Sequence, residues 1–135
     1  MLLEQHEIDR VKGSKNILAV YREEGLKVVH YPIEDYQVPK DIPAFNRIIE
    51  GILTCLKNKN NVLVHCHGGH GRTGMIAVGC FVRLGKSVDE AYQYIKKIRS
   101  IIDTDEQFNF LDKYELWVDK IRREHDTNRG AGKGT

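Results

Sequence analysis

The sequence predicts an α/β fold: a small, mostly parallel central β-sheet flanked by helices, with most of the helical mass in the C-terminal half. Three observations predict it. Two short runs rich in β-branched and aromatic residues, Leu26–Ile33 and Val62–His65, have the length and composition of strands. Longer segments with apolar residues at helical spacing follow each run. The resulting order of strand, helix, strand and then three helices is that of an α/β domain.

Residues Met1–Leu3 read equally as the end of a strand or the start of a helix. Two short helices are expected over Glu4–Lys12 and Asn16–Glu24, broken around Gly13-Ser14 and ended by Gly25. The first strand, 26–33, feeds a polar loop, Glu34-Asp35-Tyr36-Gln37-Val38-Pro39. Asp41 can cap the next helix, whose stripe is Ile42, Phe45, Ile48, Ile49, Ile52, Leu53 and Leu56. A polar turn over 57–61 precedes the second strand, which ends at His65. Met75 to Leu84 is apolar nearly all round and is expected to be the central buried helix, ended at Gly85. Ser87 with Glu90, and Thr104 with Gln107, have capping-box spacing for the last two helices.

At 135 residues the chain has room for one domain and one core. That domain is expected over residues 1–125, with the polar, glycine-rich 126–135 as a disordered tail. A formal net charge of +2, with basic residues spread along the chain, gives no basis for a nucleic-acid partner. No apolar run approaches membrane-spanning length, and Glu4, Glu7 and Asp9 are foreign to a secretory signal. Cys55, Cys66 and Cys80 are an odd number at spacings that suggest no disulfide framework. A reducing, cytoplasmic setting is expected.

The chemistry concentrates in His65-Cys66-His67-Gly68-Gly69-His70-Gly71-Arg72-Thr73-Gly74, between the second strand and the central helix. A glycine-rich loop there can turn its backbone N–H groups inward and, with the helix N-terminus, favour an anion. The same field stabilises a Cys66 thiolate, and Arg72 offers a planar fork for two phosphate oxygens. Thr73 is placed to hydrogen-bond the sulfur, or simply to start the helix.

The pattern His-Cys-x5-Arg-Thr resembles the phosphate-binding signature of the cysteine-dependent tyrosine and dual-specificity phosphatases. The resemblance implies a phosphatase-type fold and hydrolysis of phosphate monoesters through a cysteinyl phosphate; with less strand-forming sequence upstream than most of that family, this chain either has an abbreviated N-terminal sheet or begins inside the usual domain. It implies Cys66 as nucleophile, residues 67–72 (His67, Gly68, Gly69, His70, Gly71 and Arg72) as the phosphate cradle, and His65 as an orienting residue behind it. Residues 33–39 are similar to the acid loop of tyrosine phosphatases, with Ile33, Glu34 and Gln37 departing from the family's tryptophan, proline and glycine. Asp35 is thereby the candidate general acid and Glu34 its runner-up. Gln107 resembles a glutamine that helps place the hydrolytic water, and fits a capping box equally well.

The expected substrate is a phosphorylated protein or small phosphate ester in a shallow cleft, with no cofactor. His67 and His70, where lipid-phosphatase relatives carry lysines, are the basis for an alternative: inositol lipids or RNA 5′-phosphates. They are otherwise two exposed, tolerated histidines. A metal-binding module built on His65, Cys66, His67 and His70 is a reading from another class, as is an inactive phosphate-binding domain.

Overall fold

The computed structural model describes residues 1–11, 13 and 16–132, and among these the regular elements are six helices. They are α1 (Gln5–Asp9), α2 (Ile17–Glu23), α3 (Ile42–Lys57), α4 (Gly71–Arg83), α5 (Val88–Lys96) and α6 (Asp105–Ala131). Lys12 and Ser14, in the expected first helix and the break after it, lie outside the described residues.

The helix starts follow from their caps. Asn16 and Asp41 accept backbone N–H bonds from Leu18 at 2.9 Å and Ala44 at 2.7 Å. Ser87 and Glu90 form the expected reciprocal box, at 3.1 and 3.0 Å. Thr104 caps α6 through Gln107 N.

As the all-round apolar pattern predicts, α4 is central and packs against α3, α5 and α6. Met75 and Val78 of α4, Phe45 and Ile49 of α3, and Leu111 and Tyr114 of α6 are fully buried in one core. Phe45 meets the Phe110 and Tyr114 rings edge-on at 5.1 and 4.9 Å. The Tyr114 hydroxyl donates to Asn46 Oδ1 at 2.7 Å, so the one polar side chain of α3 in this core is satisfied. A smaller cluster, Leu3, Ile8 and Leu18, seats α1 and α2 on the extended residues around them.

The expected sheet does not form among the described residues: 26–33 and 62–65 are extended but make no strand. Residues 1–3 are extended too, and lie between them. Met1 bonds Val29 O and Tyr31 N at 3.1 and 3.0 Å, which is the beginning of a parallel ladder. The next rung slips, since Ile33 N takes Leu2 O at 3.1 Å. On the other side a single bond, Leu2 N to His65 O at 3.0 Å, ties in the segment that carries Cys66. Among the described residues the ladder goes no further before α1 begins, and Val29 and Leu63 are exposed.

The C-terminus also differs from its composition. Where disorder is expected from Asp126, α6 continues to Ala131, with Thr127 Oγ1 donating to Arg123 O at 2.8 Å. A polar composition removes core burial without removing the helical hydrogen-bond ladder. Residues 133–135 lie outside the described residues, and no helix among those described is long and apolar enough to cross a membrane.

Candidate active site

Three segments meet at the N-terminus of α4: the loop 65–70, residues 33–37, and the connection 99–104 between α5 and α6. They enclose a small open cleft of about 140 Å³. The loop contributes Cys66, His67, Gly68, His70, Gly71 and Arg72 to its lining; the other segments add Asp35, Tyr36 and Asp103.

Cys66 is buried, and its sulfur accepts two hydrogen bonds: from Thr73 Oγ1 at 3.0 Å and from Gly69 N at 3.2 Å. Burial by itself pushes the thiol up, but the Thr73 hydroxyl, the Thr73 and Gly69 N–H groups and the charge of Arg72 outweigh it. The thiol is held below its ordinary value, as a nucleophile at neutral pH requires. Cys80 is the contrast, since burial without donors pushes it up to about 11. Among the described residues all three cysteines are free thiols.

Arg72 is 2% exposed and is fixed from a direction the sequence did not reveal. Nη1 donates to Glu7 Oε2 at 2.6 Å and to Ile33 O at 3.0 Å, and Nη2 donates to Glu7 Oε1 at 2.8 Å. Burial pulls the guanidinium down; the bonds and charge of Glu7 then raise it above its ordinary value, with help from Asp35 and Cys66. Glu7 also accepts from Glu4 N at 2.9 Å, so a cap of α1 and the anchor of the cradle arginine are one carboxylate.

Asp35 Oδ1 lies 3.3 Å from Arg72 Nη2, and the side chain is half exposed at the cleft. Glu34 is exposed and does not line it. The two candidates for the acid are therefore separated by position. Tyr36, next in the chain, sits at φ +61°, a left-handed conformation uncommon outside glycine.

Gln107 is fully buried and does not line the cleft. Its Oε1 accepts from Asp103 N at 2.8 Å and its Nε2 donates to Gln37 O at 3.2 Å. The amide braces the acid-bearing segment against the 99–104 connection. Thr104 takes the Gln107 N–H as the capping-box spacing predicts, but the reciprocal side-chain bond goes to Asp103 N instead of Thr104 N. The same connection braces the loop: Arg99 Nη2 donates to Gly68 O at 3.3 Å, and His70 Nδ1 bonds Ser100 O at 2.8 Å. Gly71 is required by close approach, since a Cβ there would collide with the Asp103 carboxylate and come within 2.9 Å of Gln107 Oε1.

His65 stands behind the loop, its Nε2 3.1 Å from the Tyr21 hydroxyl and its Nδ1 3.2 Å from Cys66 O. His67 is exposed at the cleft mouth. The four metal-donor candidates of the loop do not converge. Among the described residues the donor trio close enough to share an ion is Glu4, His6 and Glu7, where Glu7 already holds Arg72. Sequence reasoning missed Glu7, Arg99 and Asp103, which come from segments that carry no motif.

A profile of the cyclin-dependent kinase inhibitor 3 (CDKN3) family matches residues 4–94. The cyclin-dependent kinase inhibitor 3 of Rattus norvegicus is 34% identical over 103 residues, covering 73% of this chain and 48% of that protein. The chain thus spans about half the length of such relatives. Kinase associated phosphatase (KAP), solved with its catalytic-site cysteine replaced by serine, superposes with a TM-score of 0.79 at 29% identity. That match covers 87% of this chain and 67% of the other. The active form of Tk-PTP gives a TM-score of 0.75 at 28% identity, covering 85% and 75%. These neighbours give the chain a phosphatase-type fold.

Proposed function

The chain belongs to the CDKN3 family, and on that premise we propose that it is a protein phosphatase of the tyrosine and dual-specificity type. One observation carries the reading. A thiol held low by two hydrogen bonds, a fixed arginine and an aspartate 3.3 Å from that arginine share one cleft.

In the first step the Cys66 thiolate attacks phosphorus, the P–O ester bond breaks, and Asp35 supplies the proton that the leaving oxygen needs. The N–H groups of the loop and Arg72 take the charge of the transferring phosphoryl group. An arriving phosphate would replace Asp35 on Arg72 Nη2 and leave the acid beside the ester oxygen. In the second step water attacks the cysteinyl phosphate and the S–P bond breaks. Thr73 Oγ1 and Gly69 N stabilise the departing thiolate.

A shallow, open cleft suits phosphotyrosine and, more slowly, phosphoserine and phosphothreonine. The relatives are named for kinase association and kinase inhibition, which makes a phosphorylated kinase the first protein substrate to test. The nucleophile works only while reduced, which supports a reducing compartment. Inositol phosphates and RNA 5′-phosphates are the second reading, favoured by His67 at the mouth. The three extended segments are read as the remnant of the family's parallel sheet.

The test is hydrolysis of an aryl phosphate, phosphopeptides, inositol phosphates and a 5′-phosphorylated RNA by wild type, Cys66→Ser and Arg72→Ala. Both variants are expected to lose activity on every substrate, with phosphotyrosine peptide preferred by wild type. Full activity in Cys66→Ser would overturn the covalent mechanism.

A further inference from the structure

Two carboxylates line the cleft, and the chemistry above uses one of them. We propose that the second, Asp103, accepts the proton of the attacking water in the second step, so that Asp35 serves the leaving group and Asp103 the incoming nucleophile. The inference rests on the cysteinyl-phosphate reading and deepens it.

Placement is the first argument. Asp103 lines the same cleft as Cys66, Asp35 and Arg72. Its carboxylate lies so close over Gly71, the residue before Arg72, that no Cβ fits there. A bare glycine at that point lets a carboxylate come down onto the rim of the phosphate cradle.

Availability is the second. Asp35 Oδ1 is engaged by the Arg72 guanidinium at 3.3 Å. Asp103 has no hydrogen-bond or ion-pair partner for its carboxylate among the described residues. The residue that sequence resemblance suggested for the water, Gln107, is buried with both ends of its amide bonded, and it bonds the backbone of Asp103.

The third argument is that the backbone holds this carboxylate in place. Ile102, immediately before it, sits at φ +66°, where a β-branched residue is a genuine outlier. Asp103 N is then pinned by Gln107 Oε1 at 2.8 Å. The other end of the same amide holds Gln37 O, two residues from Asp35, and Thr104 Oγ1 reaches Tyr36 O at 3.5 Å. A single buried side chain therefore fixes the spacing between the two acids.

The step balances. The oxygen of water forms a bond to phosphorus as the S–P bond breaks, and the electron pair of that bond returns to Cys66 Sγ. The water proton passes to the Asp103 carboxylate and then to solvent, and inorganic phosphate leaves.

The experiment separates the two half-reactions. Release of nitrophenol from p-nitrophenyl phosphate is followed by stopped flow, and phosphocysteine is trapped by rapid quench and measured by intact mass, in wild type, Asp103→Asn, Asp103→Glu and Cys66→Ser. Asp103→Asn is expected to keep the burst rate within about twofold, lose about 100-fold in steady-state turnover and accumulate phosphocysteine, because a positioned base contributes on that scale. Asp103→Glu is expected to recover part of the turnover, which a merely structural brace over Gly71 would not do. Wild-type turnover in Asp103→Asn without phosphocysteine, or an equal fall of burst and steady-state rates, overturns the assignment. A different result, an active Cys66→Ser with no phosphocysteine in wild type, removes the reading on which it rests.

Discussion

Glu7 grips both terminal nitrogens of Arg72, at 2.6 and 2.8 Å, across 65 residues of sequence. The pair is nearly closed to solvent, and Ile33 O takes a further hydrogen of the guanidinium. Removing one member of such a pair leaves the other buried and uncompensated. Glu7→Gln keeps the shape but sets an amide against a cation. It is expected to lower stability by about 2 kcal/mol and kcat/KM by about tenfold. Denaturant unfolding and steady-state kinetics measure the two effects.

The same carboxylate sets a pH dependence. Its bond to Arg72 holds Glu7 at about 2, against an ordinary 4.5. A depressed folded-state value means that its contribution is complete above pH 4.5 and is lost as pH falls toward 2. The stability difference between wild type and Glu7→Gln is therefore expected to be constant above pH 5 and to shrink below it, which a series of thermal melts at fixed ionic strength follows.

Thr73 is the side chain that holds the Cys66 thiol low. Thr73→Val removes that hydroxyl at similar volume. Alkylation of Cys66 by iodoacetamide is expected to keep its plateau at high pH while its midpoint moves upward, so that the rate at pH 6 falls severalfold. A midpoint equal to that of wild type would show that the backbone donors and Arg72 suffice without the hydroxyl.

Asp35 and Glu34 are adjacent, and only Asp35 reaches the cleft. Asp35→Asn is expected to slow hydrolysis of poor leaving groups by about 100-fold or more, and of nitrophenyl esters far less. Glu34→Gln is expected to stay near wild type on both. The reverse pattern would move the acid one residue upstream.

Much of the architecture is written in local chemistry. The caps at Asn16, Asp41, Ser87 and Thr104 and the all-round apolar run after Gly74 place helices that the structure contains. The loop from Cys66 to Thr73 is legible because every part of it is contiguous. The parallel sheet is less legible, because β-branched content signals an extended chain and says nothing of the pairing that makes a strand. Residues 1–3 are the segment that bonds both runs, through Tyr31, Ile33 and His65. Glu7 and Asp103 escaped notice for a different reason. Each acts on the loop through space from a segment whose own pattern is that of a helix start or a connection.

The contact between α3 and α4 tests the core independently. A Cβ on Gly79 would lie 2.8 to 2.9 Å from Phe45 and Ile49, both fully buried with no room to yield. Gly79→Ala is expected to cost about 1–3 kcal/mol by overpacking, despite alanine's better helix propensity, and to lower Tm without changing KM.

Left-handed residues flank both acids, Tyr36 after Asp35 and Ile102 before Asp103. Such conformations cost about 1 kcal/mol or more each and persist where surrounding contacts enforce them. Tyr36 is exposed, so relieving it removes no core contact. Tyr36→Asn, which tolerates that backbone, is expected to raise Tm with the Asp35 segment held in the same conformation. Selection for a hardier protein would push these two positions toward asparagine or glycine.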